Sequence, residues 1–181
     1  MPGLAAVRGR RHHRRRVDRV TLLADALTRE HHEIDGGIEE FVTSLRSDDG
    51  APPETAPLTR AMDALRRHIY LEEDILFPWL AGPSLAMPLM VMYREHGQIW
   101  RAMDTLELFL ATEAQGGAHR DMVVGHCQDL LDLLEKHNSK EEPIIYPHAD
   151  ADLPPAAHEV LHEFLETGEL PDGWVCREAN S

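Results

Sequence analysis

Cysteine is scarce in this 181-residue chain: Cys127 and Cys176 are the whole complement, too few for a disulfide framework and without the close pairing of a cysteine metal site. Aromatic residues amount to 6%. No apolar run approaches the roughly 18 residues that would read as a membrane span, and nowhere do β-branched residues alternate as a strand requires. Positive charge is sparse outside the first nineteen residues, where seven arginines (8, 10, 11, 14, 15, 16 and 19) face Asp18 alone. That segment carries +6; since the chain totals −14, the remaining 162 residues carry −20. So acidic a body repels nucleic acid and anionic lipid, and any phosphate binding would rest on the arm alone. The arginine-rich start lacks the apolar stretch and small-residue cleavage site of an export signal. Together with the cysteine usage, this sets a cytoplasmic expectation.

What is present is helical periodicity. Residues 1–19 show none and read as a disordered basic arm, or as an extension upstream of a start near Val17 or Val20. From Thr21 the pattern changes: Leu23, Leu27, His31, Ile34, Ile38, Phe41 and Leu45 recur at steps of three and four, predicting a first helix over 21–46. The Gly/Pro/Asp-rich stretch 47–57 is a loop. A second helix carries Leu58, Met62, Leu65, His68, Glu72 and Ile75 on one stripe and should close at Pro78. A third, 88–114, carries Leu89, Met92, His96, Ile99, Met103, Leu106 and Leu110, with Gly116 and Gly117 as its stop. A fourth, 118–142, carries Val123, Cys127, Leu130, Leu134, His137 and Glu141, with Pro143 as its stop. A shorter fifth helix spans 154–166 with Val160, Leu161, Phe164 and Leu165. The expected fold is all-α: an up-down-up-down four-helix bundle over 20–148, followed by a C-terminal helix and tail over 149–181.

Compared with itself, the chain repeats. Arg29-Glu30-His31-x-x-Ile34 matches Arg94-Glu95-His96-x-x-Ile99, and His68-x-x-x-Glu72-Glu73-x-Ile75-Leu76-Phe77-Pro78 matches His137-x-x-x-Glu141-Glu142-x-Ile144-Ile145-Tyr146-Pro147. His31, His68, Glu72, His96, His137 and Glu141 all fall where the stripe calls for an apolar residue. An unpaired buried polar group costs roughly 1–3 kcal/mol, and a lone charge far more, so six of them need a common partner. A metal centre supplies one. Residues four apart on a helix lie about 5–6 Å from each other at Cβ, so each His-x-x-x-Glu offers both side chains to one inter-helix space. At about 1.5 Å rise per residue, the histidines of paired helices also reach similar heights above their connecting turns. A single histidine on an apolar stripe is ordinarily a satisfied core residue; that account does not explain four histidines and two glutamates in duplicate.

These paired EHxxI and HxxxEE motifs, over about residues 20–148, resemble the hemerythrin-like HHE cation-binding family. The resemblance implies two iron ions, bridged by an oxo or hydroxo group, with His31, His68, His96 and His137 as terminal ligands and Glu72 and Glu141 as bridging carboxylates. Ligand type alone leaves zinc and manganese open. Oxygen-carrying members add a fifth histidine one turn from the first on the third helix, where this chain has Met92 and Trp100. Four protein bonds per metal would then remain, leaving both ions accessible to small ligands. That departure argues against reversible oxygen carriage and toward binding or reaction of peroxide, dioxygen or nitric oxide. A catalase-like activity is the leading expectation, and an oxygen, nitric oxide or iron sensing or storage module the alternative.

Tyr93, one turn before His96, is expected to pack, although a phenol there could reach the metals. Glu73 and Glu142, each about 100° around from the ligand acids, are expected to back the ligands or face solvent, and His32 to lie on the polar side. Ile34, Leu65, Ile99, Met103 and Leu134 are expected to form an apolar shell. On the fifth helix, His158-Glu159-Val160-Leu161-His162 reads as HExxH. The further ligands of a zinc protease are missing at the required offsets, so it is set aside.

Overall fold

A computed structural model describes residues 22–47, 54–111 and 117–181; the basic arm 1–19 lies outside the described residues. The chain there is all-helical: α1 Leu23–Arg46, α2 Ala56–Tyr70, a π-helical segment Leu71–Leu76, α3 Phe77–Leu80, α4 Ala86–Leu110, α5 Gly117–Ile144, α6 Tyr146–Ala151 and α7 Pro155–Thr167. Helix α1 packs on α2 and α5, and α4 packs on α5 and α2, so the four long helices form a ring. No described helix is long and apolar enough to cross a membrane.

Three boundaries differ from the periodicity. Helix α4 closes at Leu110 and Gly117 opens α5 instead of ending the third helix, while Gly116, the other half of that expected stop, lies outside the described residues. Pro143 lies inside α5, one residue before its end; the proline gives up one backbone amide bond there, and the helix stops at the next residue. The second helix does not run unbroken to Pro78. It widens at Leu71–Leu76 into a π turn, whose i to i+5 bonding places more residues in each turn. Successive side chains there are separated by a smaller rotation, and Glu72 and Glu73 both point inward, at 0% and 5% exposure.

Apolar residues gather in two clusters. One holds Ile34, Ile38 and Phe41 of α1, Leu58 to Ile69 of α2, Ile99 to Leu106 of α4 and Val123 to Leu134 of α5. The other joins Leu23 and Leu27 to Leu71, Phe77, Leu89, Met92, Tyr146, Ala149 and Leu161. Along every long helix the buried histidines fall between the two, so the polar layer lies in the middle of the ring. The fifth helix is amphipathic, with Leu161 buried but Val160 47% exposed.

Helix α1 begins without a cap of its own. The Leu23 and Ala24 amides donate to the Asp150 carboxylate of α6, at 2.8 and 3.2 Å, satisfying two of the four orphan donors of a helix start. Asp150→Ala is therefore expected to cost about 1 kcal/mol, as loss of a cap residue does, read as a lower midpoint in urea unfolding. An unchanged midpoint would show that water serves those amides equally well. Between α1 and α2, a Cβ on Gly37 would come within 2.9 Å of the Ala61 Cβ, so only glycine permits this approach.

Candidate metal centre

Six buried side chains meet in the polar layer: His31 from α1, His68 from α2, Glu72 from the π turn, His96 from α4, and His137 and Glu141 from α5, none more than 4% exposed. They form two groups whose ligand atoms lie within 4.8 Å of one another. One is His31, His68, Glu72 and Glu141; the other is Glu72, His96, His137 and Glu141. Both carboxylates belong to both groups. Glu72 turns one oxygen toward each: Oε1 lies 3.1 Å from His68 Nε2 and Oε2 lies 3.2 Å from His96 Nε2. Glu141 Oε2 lies 3.1 Å from His137 Nε2 and 3.6 Å from His31 Nε2.

The outer nitrogen of every imidazole is spoken for. His31 Nδ1 donates to Glu142 (2.9 Å), His68 Nδ1 to Glu30 (2.8 Å), His96 Nδ1 to Glu73 (2.9 Å) and His137 Nδ1 to Glu95 (3.2 Å). These acids are the remaining glutamates of the repeated motifs. The Glu preceding each EH histidine holds the histidine of the neighbouring HxxxEE, and the second Glu of HxxxEE holds an EH histidine. A carboxylate on Nδ1 leaves the Nε2 lone pair directed inward, the arrangement that carboxylate–histidine–metal sites use to set tautomer and basicity.

Several inward atoms have no hydrogen bond: Glu72 Oε2, His96 Nε2 and Glu141 Oε1. The first two are 3.2 Å apart without hydrogen-bond alignment. Orphaned buried acceptors of this kind cost roughly 1–3 kcal/mol each, and a cation held between them removes the cost. Charge follows the same logic. Burial opposes a charged imidazole at His68, but Glu72 and Glu30 outweigh it and raise it well above the usual range. At His137, Glu141, Glu95 and Glu72 overcome burial to carry it to about 10. Burial would raise Glu72, yet His68 and His96 hold it well below the carboxylate range. His31 is the exception: burial and the charge of His68 lower it. The layer is thus a set of mutually balanced charges with unmet coordinating atoms, which fits a resident cation.

One participant escaped sequence reasoning. The Tyr146 hydroxyl lies within the first group, 2.7 Å from Glu72 Oε1, 2.8 Å from His31 Nε2, and 3.2 Å from both His68 Nε2 and Glu141 Oε2. In the repeat, Tyr146 is the counterpart of Phe77, which stacks on His96 of the second group with rings nearly coplanar in orientation, 6° apart. The Phe/Tyr exchange at matched positions was the available signal. Tyr93 packs, as its place on α4 led one to expect, edge-on against Phe77 and beneath the Arg177 guanidinium. Glu73, buried at the π turn, and Glu142 both back a histidine, one of the two places expected of them. A small cavity of about 10 Å3, close to the least space one water needs, adjoins the histidines between Ile34, Leu65, Ile69, Ile99 and Leu134; Met103 is buried but does not line it. His158 and His162 stack on each other on α7, and neither belongs to a three-ligand group among the described residues.

Comparison with known proteins agrees with this chemistry. Curated proteins from Yersinia pestis and Yersinia pseudotuberculosis, both named iron-sulfur cluster repair protein YtfE, are 29% identical to the chain over 101 residues, covering 52% of it and 45% of each relative. The chain thus matches less than half the length of those relatives. No solved structure matches it significantly. Residues 22–149 match the hemerythrin HHE cation binding domain, and over that span, which contains every member of both donor groups, the chain belongs to the hemerythrin HHE cation-binding family.

Proposed function

We propose that the chain is an up-down-up-down four-helix bundle, residues 20–148 with a C-terminal helix and tail over 149–181, that holds two iron ions and reacts with small oxidants. Peroxide is the leading reactant, with dioxygen and nitric oxide the others. His31 and His68 would serve one ion, His96 and His137 the other, and Glu72 and Glu141 both. The observation that carries this reading is the pair of donor groups sharing two carboxylates, with inward atoms left without hydrogen bonds. The Yersinia relatives are named for iron-sulfur cluster repair, which favours a protective role for this chain too.

A bound iron pair would supply reversible one-electron change at each metal and Lewis acidity toward a small oxidant. The chain's own residues do the rest. Glu30, Glu73, Glu95 and Glu142 hold the four imidazoles in one tautomer. The apolar side chains around the cavity keep bulk water out and admit only molecules of a few atoms. Tyr146 makes the two positions unequal: its oxygen fills the space among the donors of the first group, so an external ligand would reach the second group, beside Phe77. A cation there would replace the carboxylate field that, with burial, holds this phenol well above its usual range. With a cation held by the first group, the Tyr146 oxygen would be a further donor beside His31, His68, Glu72 and Glu141.

Oxygen evolution from hydrogen peroxide by the iron-loaded protein tests the leading reading. Turnover that disappears in a His137→Ala, Glu141→Ala variant supports it. Tight binding of nitric oxide or dioxygen without turnover would favour the sensing or storage alternative, and zinc or manganese as the metal retained on purification would overturn iron. Loading should also release protons, because His68, His96 and His137 are all raised in the metal-free site. Apparent affinity should therefore weaken as pH falls. Calorimetry in two buffers of different ionisation enthalpy reads this directly, and identical heats would contradict it.

A further inference from the structure

The segment after the bundle is fastened to the metal centre at two points. The Arg67 guanidinium donates to the carbonyls of Phe164, Leu165 (3.1 Å) and Gly168 (2.8 Å) at the end of α7, and through Nη1 to Glu30 (2.8 Å). Glu30 in turn accepts from His68 Nδ1. Further along, the Arg177 backbone amide donates to Glu73 Oε2 (2.8 Å), whose other oxygen accepts from His96 Nδ1 (2.9 Å). The tail thus reaches one histidine of each donor group through one carboxylate apiece. His31 and His137 differ, since their carboxylates Glu142 and Glu95 come from within the bundle.

The tail is seated rather than draped. Arg101 donates to the Glu178 (2.7 Å) and Ala179 (3.3 Å) carbonyls, the Trp174 indole donates to Asp74 (2.8 Å), and Cys176 is buried with Ile34 and Ile99 in one apolar cluster. Directly beside His96, Gly97 lets the tail lie on α4: a Cβ there would stand 2.3 Å from the Glu178 carbonyl oxygen. Glycine inside a helix costs about 1 kcal/mol relative to alanine, and here the close approach of the tail gives the reason for it.

We propose that residues 164–179 are a positioning element of the metal centre, orienting His68 through Arg67 and Glu30 and His96 through Glu73. The proposal rests on the metal reading above and adds to it a role for chain beyond the bundle. Whatever lifts the tail loosens one imidazole at each metal position, so occupancy and redox behaviour of the centre follow the state of the tail. Outer partners of ligating histidines typically change metal affinity 10–100-fold.

The test uses the full iron-loaded chain in three variants. Gly97→Ala drives a methyl group against the Glu178 carbonyl, and Arg101→Ala removes the cation that pins the tail; neither residue supplies a ligand atom, and Arg101, a turn beyond Gly97, separates release of the tail from any strain passed along the chain to His96. Gly125→Ala, where a Cβ meets nothing within 4 Å, is the control. Tryptic cleavage after Arg177 reports release of the tail, and circular dichroism reports the helices. Rates of iron transfer to a ferrous chelator, with the ferric optical spectrum, report the centre. Gly97→Ala and Arg101→Ala should expose Arg177, retain the helical signal, lose iron at least tenfold faster and shift the spectrum well below the melting temperature, a change that lowered stability alone does not produce. Gly125→Ala should match the parent. The proposal is overturned if a variant frees the tail while iron release stays within twofold of the parent and the spectrum is unchanged, or if neither variant frees the tail. Parent protein that takes up no iron would sink the metal reading and this proposal together; loaded parent protein with indifferent variants sinks the proposal alone.

Discussion

Replacing His137 and Glu141 together with leucine should abolish iron loading and make the metal-free protein more stable, not less. Both residues are buried, on successive turns of α5, with Nε2 and Oε2 3.1 Å apart. Their mutual attraction is set against the desolvation of two ionised groups, and Glu141 Oε1 has no hydrogen bond at all. Exchanging such a pair for apolar residues of similar volume is often neutral or stabilising by about 1–4 kcal/mol, and the neighbours Leu134 and Ile145 are already apolar and buried. Removing both residues at once matters, since a single deletion leaves its partner buried and uncompensated. For a chain of this size the gain corresponds to a rise of roughly 2–4 °C in melting temperature per kcal/mol. On the proposed two-iron reading, iron content should fall from near two per chain to none, because the second group loses two of its four donors and the first loses one of its two shared carboxylates. A metal-free variant that melts lower than the metal-free parent would mean that these side chains serve the fold rather than a cation.

Tyr146→Phe should leave the iron content intact and change what the centre accepts. The substitution makes the second half of the repeat like the first, where Phe77 holds the matched position. The His31, His68, Glu72 and Glu141 donors remain, so loading persists, but the oxygen that lay within 3.2 Å of all four is gone. On the proposed two-iron reading, the ferric parent should bind one equivalent of azide and show a visible phenolate-to-iron absorption, and Tyr146→Phe should bind two and lack that absorption. Removing the hydroxyl takes one partner each from Glu72 Oε1 and His31 Nε2, but both keep His68 Nε2, at 3.1 and 3.0 Å, so the metal-free protein should lose only about 1 kcal/mol. If the spectrum and the azide stoichiometry match those of the parent, Tyr146 is a hydrogen-bond donor to the carboxylates and nothing more.

How these features came to light differs from residue to residue. The six inward side chains were legible because a helix converts spacing into facing: polar residues recurring on an apolar stripe at three- and four-residue steps must share its buried side. Duplication made the pattern specific, since the same two motifs recur in the same order. Glu73 was not legible in this way. Spacing left it between backing a histidine and facing solvent; it backs His96, as Glu142 backs His31, and it is buried at the π turn where Glu142 on α5 stays one-third exposed. Of the stop assigned to Gly116 and Gly117, Gly117 begins a helix instead, because glycine permits both the end and the beginning of one.

By itself, the sequence determined an all-helical chain with four histidines and two glutamates driven into its interior, because burial of apolar stripes leaves those positions nowhere else to go. Only the tertiary structure decided which acid backs which imidazole, that Tyr146 rather than Tyr93 enters the centre, and that the tail reaches Glu73 and Arg67. Each of those depends on where two remote helices place their side chains to within an ångström, and helical periodicity specifies a direction around one axis but not the distance to another.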